Sequence, residues 1–179
     1  RRGHVRAHRD HLIAPPRRDW VRSGGRAIVP GVSEPRTILL ATDADRVLDD
    51  VEAALAEPGV TIARVRSGRE VLAAVQELAP DLVVLDLQIG NMGGVATCLE
   101  LRNEESFGRL EEQKVLILLD RVADVFLARR SGADGWIIKP LDPPRLRRAA
   151  EAVLRGDEHA DGPSAPVMAP SEPDAAAAG

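Results

Sequence analysis

The chain has 179 residues, room for one ordinary domain, and an apolar fraction of 44% with only 2% aromatics and no Tyr, so aliphatic side chains must fill its core. A formal charge of −4 argues against a general nucleic-acid binder, and a single cysteine, Cys98, rules out an internal disulfide framework. No apolar run approaches the ~18 residues of a membrane span, which leaves a soluble, cytoplasmic protein of a reducing compartment as the expectation. Arg outnumbers Lys by 22 to 2, a composition expected of a GC-rich bacterial genome.

Residues 1–36 carry nine Arg against three acids, with His4, His8, His11 and four Pro but no sustained apolar period. They read as a flexible arm without the apolar h-region of a secretory signal. The chain starts with Arg, and Val29 and Val32 are candidate translation starts just before the first patterned segment. Residues 37–41 (TILLA) form an unbroken apolar run expected of a buried strand. Next, Val47, Val51, Ala54 and Leu55 share one helical face, ended by Pro58-Gly59. Residues 60–65 read as a second strand. Ser67 with Glu70 three positions on is a capping-box signature for a helix whose stripe is Val71, Leu72, Val75 and Leu78. Residues 81–86 (DLVVLD) are a third buried strand, followed by a helix with Val95, Cys98 and Leu99 facing inward. Residues 115–119 are the fourth strand, and Val122, Val125 and Phe126 mark a fourth helix ending at Gly132. Residues 136–138 are a fifth strand, and Leu146, Ala149, Ala150 and Val153 make a last helix. Residues 157–179 hold five acids and no Lys or Arg, are rich in Ala and Pro, and read as a disordered tail.

This alternation is (βα)5: a flavodoxin-like α/β three-layer sandwich with a five-stranded parallel sheet covered on both faces, over residues 37–156. In such a sheet the site lies beyond the carboxyl ends of the strands. Collected there are Thr42-Asp43, Asp86, Leu119-Asp120 and Lys139-Pro140. Asp43 and Asp86 would repel one another without a cation between them, and Mg2+ suits a few carboxylates completed by water and phosphate oxygens. A carboxylate beside such a metal can attack a phosphoryl group and form an acyl phosphate, while Lys139 holds a phosphate oxygen.

The ILLATD start, the VVLDL strand, the GADGWIIKP segment and their spacing resemble the receiver domain of bacterial two-component response regulators, the CheY-like fold, over residues 37–156. The resemblance implies that Asp86 is the phospho-acceptor and Lys139 the phosphate-binding lysine. It implies Mg2+ held by Asp43, Asp86 and the backbone carbonyl of Gln88, a cis bond at Lys139-Pro140, and Trp136 at the switch aromatic position. It further implies that the chain is no enzyme beyond its own phosphorylation and autodephosphorylation. Its phosphodonor would be a sensor histidine kinase or phosphotransfer protein, and its output contact with a downstream protein or a second copy of the chain. Direct DNA binding is not expected, because only the 23 residues 157–179 follow the last helix, and membrane binding is not expected without an apolar span.

Three departures stand out. The family has two adjacent acids after the first strand, where this chain has Thr42 before Asp43. Leu119 and Asp120 stand where the family has a Ser or Thr hydroxyl, and the loop after Asp86, residues 89–94, lacks the usual Pro and Asp. A stand-alone receiver is therefore set against a phosphorylation-independent pseudo-receiver with a fixed binding surface. A third reading is a metal-dependent phosphohydrolase of haloacid-dehalogenase type, from Asp43-Ala44-Asp45 with Val47. Cys98 on an apolar stripe reads as an inert buried thiol. Residues 37–156 hold no His, which removes an internal Ser-His-Asp set there.

Overall fold

The computed structural model describes residues 35–161. Residues 1–34, with the expected arm and its three histidines, and residues 162–179 of the expected tail lie outside the described residues. In chain order the elements are β1 (Arg36–Ala41), α1 (Asp45–Leu55), β2 (Val60–Val65), α2 (Gly68–Leu78), β3 (Leu82–Asp86) and α3 (Gly94–Ser106). β4 (Val115–Leu119) follows, then a 3-10 turn (Val122–Asp124), α4 (Val125–Arg130), β5 (Gly135–Ile138), α5 (Pro143–Arg155) and β6 (His159–Ala160). The strands form one parallel sheet in the order β2-β1-β3-β4-β5-β6. The order reverses between β1 and β3, which opens the crevice there.

Strand side chains alternate across the sheet, and every central strand is apolar on both faces. Ile38, Leu40, Leu82, Val84, Leu116 and Leu118 therefore pack against α1 and α5. Leu39, Val83, Leu85, Val115, Ile117 and Leu119 pack against α2, α3 and α4. α1 and α5 bury the residues their periodicity predicts, Val47, Val51, Ala54 and Leu55 in one and Leu146, Ala149, Ala150 and Val153 in the other. The capping box forms as expected, with the Ser67 hydroxyl accepting from the Arg69 N–H and the Glu70 carboxylate from the Ser67 N–H.

Four expectations need correction. The sheet has six strands rather than five, because residues 159–160, assigned by composition to the tail, pair with β5. In α3 the inward face is Gly94, Thr97, Cys98 and Leu101, and Leu99 is exposed. A glycine and a threonine occupy that stripe, so counting apolar residues alone shifts its phase. In α4 Phe126 is exposed and Ala128 is the buried residue, and Val122 is exposed in the 3-10 turn before it. The preceding turn winds at about 3.0 residues per turn rather than 3.6, so the helical phase does not carry through it. Leu78, expected on the α2 stripe, is likewise exposed at that helix's last turn.

The start of α2 lies directly against the loop leading into α3. A Cβ added at Gly68 would sit 2.0 Å from the Met92 carbonyl oxygen and 2.6 Å from the Thr97 hydroxyl. Gly68→Ala is expected to destabilise the domain by about 1–3 kcal/mol, because backbone rather than a side-chain tip must move. Chemical denaturation checks this, and an alanine variant as stable as the parent would contradict the close packing of α2 on that loop.

Candidate functional site

The site is built where β1, β3, β4 and β5 end together. Ala41 pairs with Leu85 in the last register step of β1 and β3, so Thr42 and Asp86 follow side by side. Beyond the pairing, the Leu87 N–H donates to the Leu118 carbonyl at 3.0 Å and the Lys139 N–H to the Leu119 carbonyl at 2.8 Å. The end of β4 thus anchors Asp86 on one side and Lys139 on the other.

Asp86 is 2% exposed, and a carboxylate so deeply placed needs partners on both oxygens. Its Oδ1 accepts from Lys139 Nζ at 2.7 Å and from the Gln88 N–H at 3.2 Å. Its Oδ2 accepts from the Thr42 hydroxyl at 2.8 Å, and Thr42 in turn accepts from the Ala44 N–H at 3.2 Å. Lys139 is shared, since its ammonium also donates to Asp120 Oδ1 at 3.1 Å. The second Asp120 oxygen, Oδ2, is buried and finds no hydrogen-bond partner among the described residues. Burial works against the Lys139 ammonium, but its bonds to Asp86 and then Asp120 outweigh it and raise its pKa above the ordinary lysine value. The lysine is therefore cationic throughout the neutral range.

Asp43 is exposed at the end of β1, and its Oδ2 lies under the loop after β3, where a Cβ at Gly90 would come within 3.3 Å of it. Among the described residues no three His, Cys, Asp or Glu side chains cluster as a metal cage. Two carboxylates on neighbouring strand ends with a backbone carbonyl from Gln88 are nevertheless the donor set that Mg2+ takes when water and phosphate oxygens complete its shell. The residues present fit that ion.

Asp45, the second acid of the phosphohydrolase reading, is held instead by Arg64 at 2.6 Å and Arg66 at 2.8 Å. The Arg64 bond first, then Arg66, depresses its pKa. The paired-aspartate arrangement which that chemistry needs is thus engaged elsewhere.

Leu119 and Trp136 fall in one buried cluster on the α2–α4 side of the sheet. Trp136 is turned inward, its Nε1 donating to the Asp161 carbonyl at 2.9 Å, with the Arg129 guanidinium 5.3 Å from its ring centre. The Lys139-Pro140 bond is cis, as the resemblance implied. Cys98 is buried with its thiol on the Ser131 carbonyl, and burial pushes its pKa up, in keeping with an inert thiol. The sequence reading missed what Thr42 does, treating it only as an absent acid. Its place one step beyond the β1–β3 register brings it to Asp86, and no pattern in the sequence signals that contact.

Residues 38–151 match the family described as response regulator receiver domain. The transcriptional regulatory protein CseB of Streptomyces avermitilis is 31% identical over 146 residues, covering 80% of this chain and 60% of that protein. The DNA-binding response regulator MtrA of Mycolicibacterium smegmatis is 33% identical over 121 residues, covering 68% of this chain and 51% of that one. The chain thus spans 60% or less of the length of these two relatives. Among solved structures, the signal receiver domain of a signal transduction histidine kinase from Syntrophus aciditrophicus superposes with a TM-score of 0.60 at 28% identity. That superposition covers 68% of this chain and 91% of the other. Among the described residues, no helix is long and apolar enough to cross a membrane.

Proposed function

The chain belongs to the response regulator receiver domain family, and from that premise we propose that it accepts a phosphoryl group on Asp86, with Mg2+, and signals by protein–protein contact in the cytoplasm. The observation that carries this reading is the buried Asp86 carboxylate held by Lys139 at 2.7 Å and Thr42 at 2.8 Å at the carboxyl end of β3. An Asp86 oxygen attacks the donor phosphorus, a new O–P bond forms, and the bond from phosphorus to the donor breaks. The donor leaves with that electron pair, as acetate from acetyl phosphate or as the imidazole of a kinase or phosphotransfer histidine. Lys139 holds a phosphoryl oxygen and keeps the acceptor oriented, and Thr42 fixes the carboxylate's rotation through its Oδ2. Mg2+ at Asp43, Asp86 and the Gln88 carbonyl would offset the charge of the phosphate oxygens.

Output would follow from a shift between two arrangements of the surface near Trp136, read by a downstream protein or a second copy of the chain. Leu119 offers no hydroxyl to follow the phosphoryl group, so the coupling has to run through Lys139 and its strand. A second reading has its own observation, the sharing of Lys139 by Asp120 at 3.1 Å. A carboxylate already on that ammonium opposes an incoming phosphoryl dianion, which favours a constitutive binding module.

Magnesium binding tests the metal side of the site. Asp43→Ala is expected to weaken Mg2+ affinity by at least ~10-fold, measured by titration calorimetry, with the thermal transition unchanged because Asp43 is exposed. Unaltered affinity would remove Asp43 from the site, and absence of Mg2+ binding by the parent protein would favour the constitutive module.

A further inference from the structure

Lys139 reaches Asp86 from the end of β5, a strand of four residues whose outer edge is covered by residues 159–161. The covering segment is tied down at several points. β6 runs parallel to β5 with Gly135 opposite His159 and Trp136 opposite Ala160. The His159 N–H donates to the Asp134 carbonyl at 3.1 Å, and the Asp161 N–H to the Trp136 carbonyl at 3.3 Å. The approach is close enough to need a glycine. A Cβ at Gly135 would lie 3.1 Å from the His159 carbonyl oxygen and 2.8 Å from Val153.

The last residue of this segment does more than continue the pairing. Asp161 Oδ2 accepts the Ile138 N–H at 2.9 Å and also meets the Arg145 guanidinium. The same Arg145 nitrogen donates to the Ile138 carbonyl at 3.1 Å. One carboxylate and one guanidinium thus hold both backbone polar groups of Ile138, the residue immediately before Lys139. The Lys139 N–H is held from the other side by Leu119. Asp161 is partly buried, and charge-assisted bonds of this kind are stronger than neutral ones.

We propose that Asp161 is a positioning residue for Lys139: together with Arg145 it fixes the strand end from which the ammonium reaches Asp86, making residues 159–161 part of the site. The proposal rests on Lys139 serving the phosphoryl transfer of Asp86, as set out above. The carboxylate touches neither Asp86 nor the ammonium in this structure; it acts through the Ile138 backbone. Its effect should therefore appear in the efficiency of transfer and in the environment of Lys139, and not in metal affinity, which belongs to β1 and β3.

The test uses the full chain with Mg2+ and acetyl phosphate, following the Asp86 adduct by intact mass across donor concentrations. The saturating rate of Asp161→Ala should fall on the order of 10-fold, because a small misplacement of a charged group forfeits much of its orientation benefit. Asp161→Asn retains an acceptor for Ile138 N–H and should lose only a few-fold, with Mg2+ affinity equal to the parent in both. The chain has two lysines, Lys114 and Lys139. In lysine-labelled protein, with Lys114→Arg for assignment, the Lys139 Cε resonance at neutral pH should move from its parent position in Asp161→Ala.

Parent-like rates and a parent-like Lys139 resonance in both variants would overturn the proposal. If the parent itself forms no adduct, the phosphorylation reading fails. The Lys139 resonance then still decides the positioning role, supporting it if displaced and overturning it if not. Should Asp161→Ala fail to fold, Asp161→Asn carries the same two readouts, and its identity with the parent in both would be the contradicting result.

Discussion

Asp86→Asn is expected to abolish the phosphoryl adduct completely while the domain stays folded. An amide has no anionic oxygen to attack phosphorus, so no residual slow reaction at this position is expected. The substitution keeps the side chain's shape. The amide oxygen can take the Oδ1 position, accepting from Lys139 and the Gln88 N–H, while the amide NH2 faces the Thr42 hydroxyl, which can accept as well as donate. Lys139 does not become an uncompensated charge, because it keeps Asp120. Stability should therefore change by no more than about 1–2 kcal/mol, below the loss seen when a buried partner is stranded. Intact mass with acetyl phosphate reads the adduct, and denaturation reads the fold. An adduct that persists in the Asn variant would move the acceptor to another carboxylate, Asp120 being the first to examine.

Lys139→Met should slow adduct formation by about 10²–10³-fold, the loss typical of removing one pre-placed donor at developing charge. It also strips Asp86 and Asp120 of the cation they share, leaving Asp86 with Thr42 and the Gln88 N–H. The pH dependence has a defined sign. Burial opposes the Lys139 charge, but the Asp86 and Asp120 contacts raise its folded pKa above the unfolded 10.5. Its stabilising contribution is then fully present below 10.5 and is lost as pH rises through the folded value. The stability gap between the parent and Lys139→Met should narrow in that alkaline window. A methionine variant that matches the parent's rate would show that the ammonium does not act on the phosphoryl group.

The central strands were legible because each is a short, unbroken aliphatic run, and only a sheet covered on both faces demands that. Asp86 and Lys139 could be picked out because each directly follows such a run, and Asp43 because it stands one residue beyond one, so their convergence at one rim comes with the topology. What the pattern could not carry was anything decided by local packing rather than by period. The α3 face includes Gly94 and Thr97, which an apolar count passes over. The phase of α4 is reset by a 3-10 turn with no apolar signature. β6 has two residues and sits in an acidic, Ala/Pro-rich context, so its pairing depends on Gly135 leaving room for it. The contact of Thr42 with Asp86 follows from the register of β1 on β3, which no composition reveals.

The account stands most directly on whether Asp86 is a reactive carboxylate in the parent protein. The purified protein, incubated with Mg2+ and acetyl phosphate, should gain the mass of a single phosphoryl group. The gain should depend on Mg2+, map to the peptide containing Asp86, and be absent from Asp86→Asn. A folded protein that binds Mg2+ yet acquires no phosphoryl group would contradict the account and leave a binding module whose surface is set without phosphorylation.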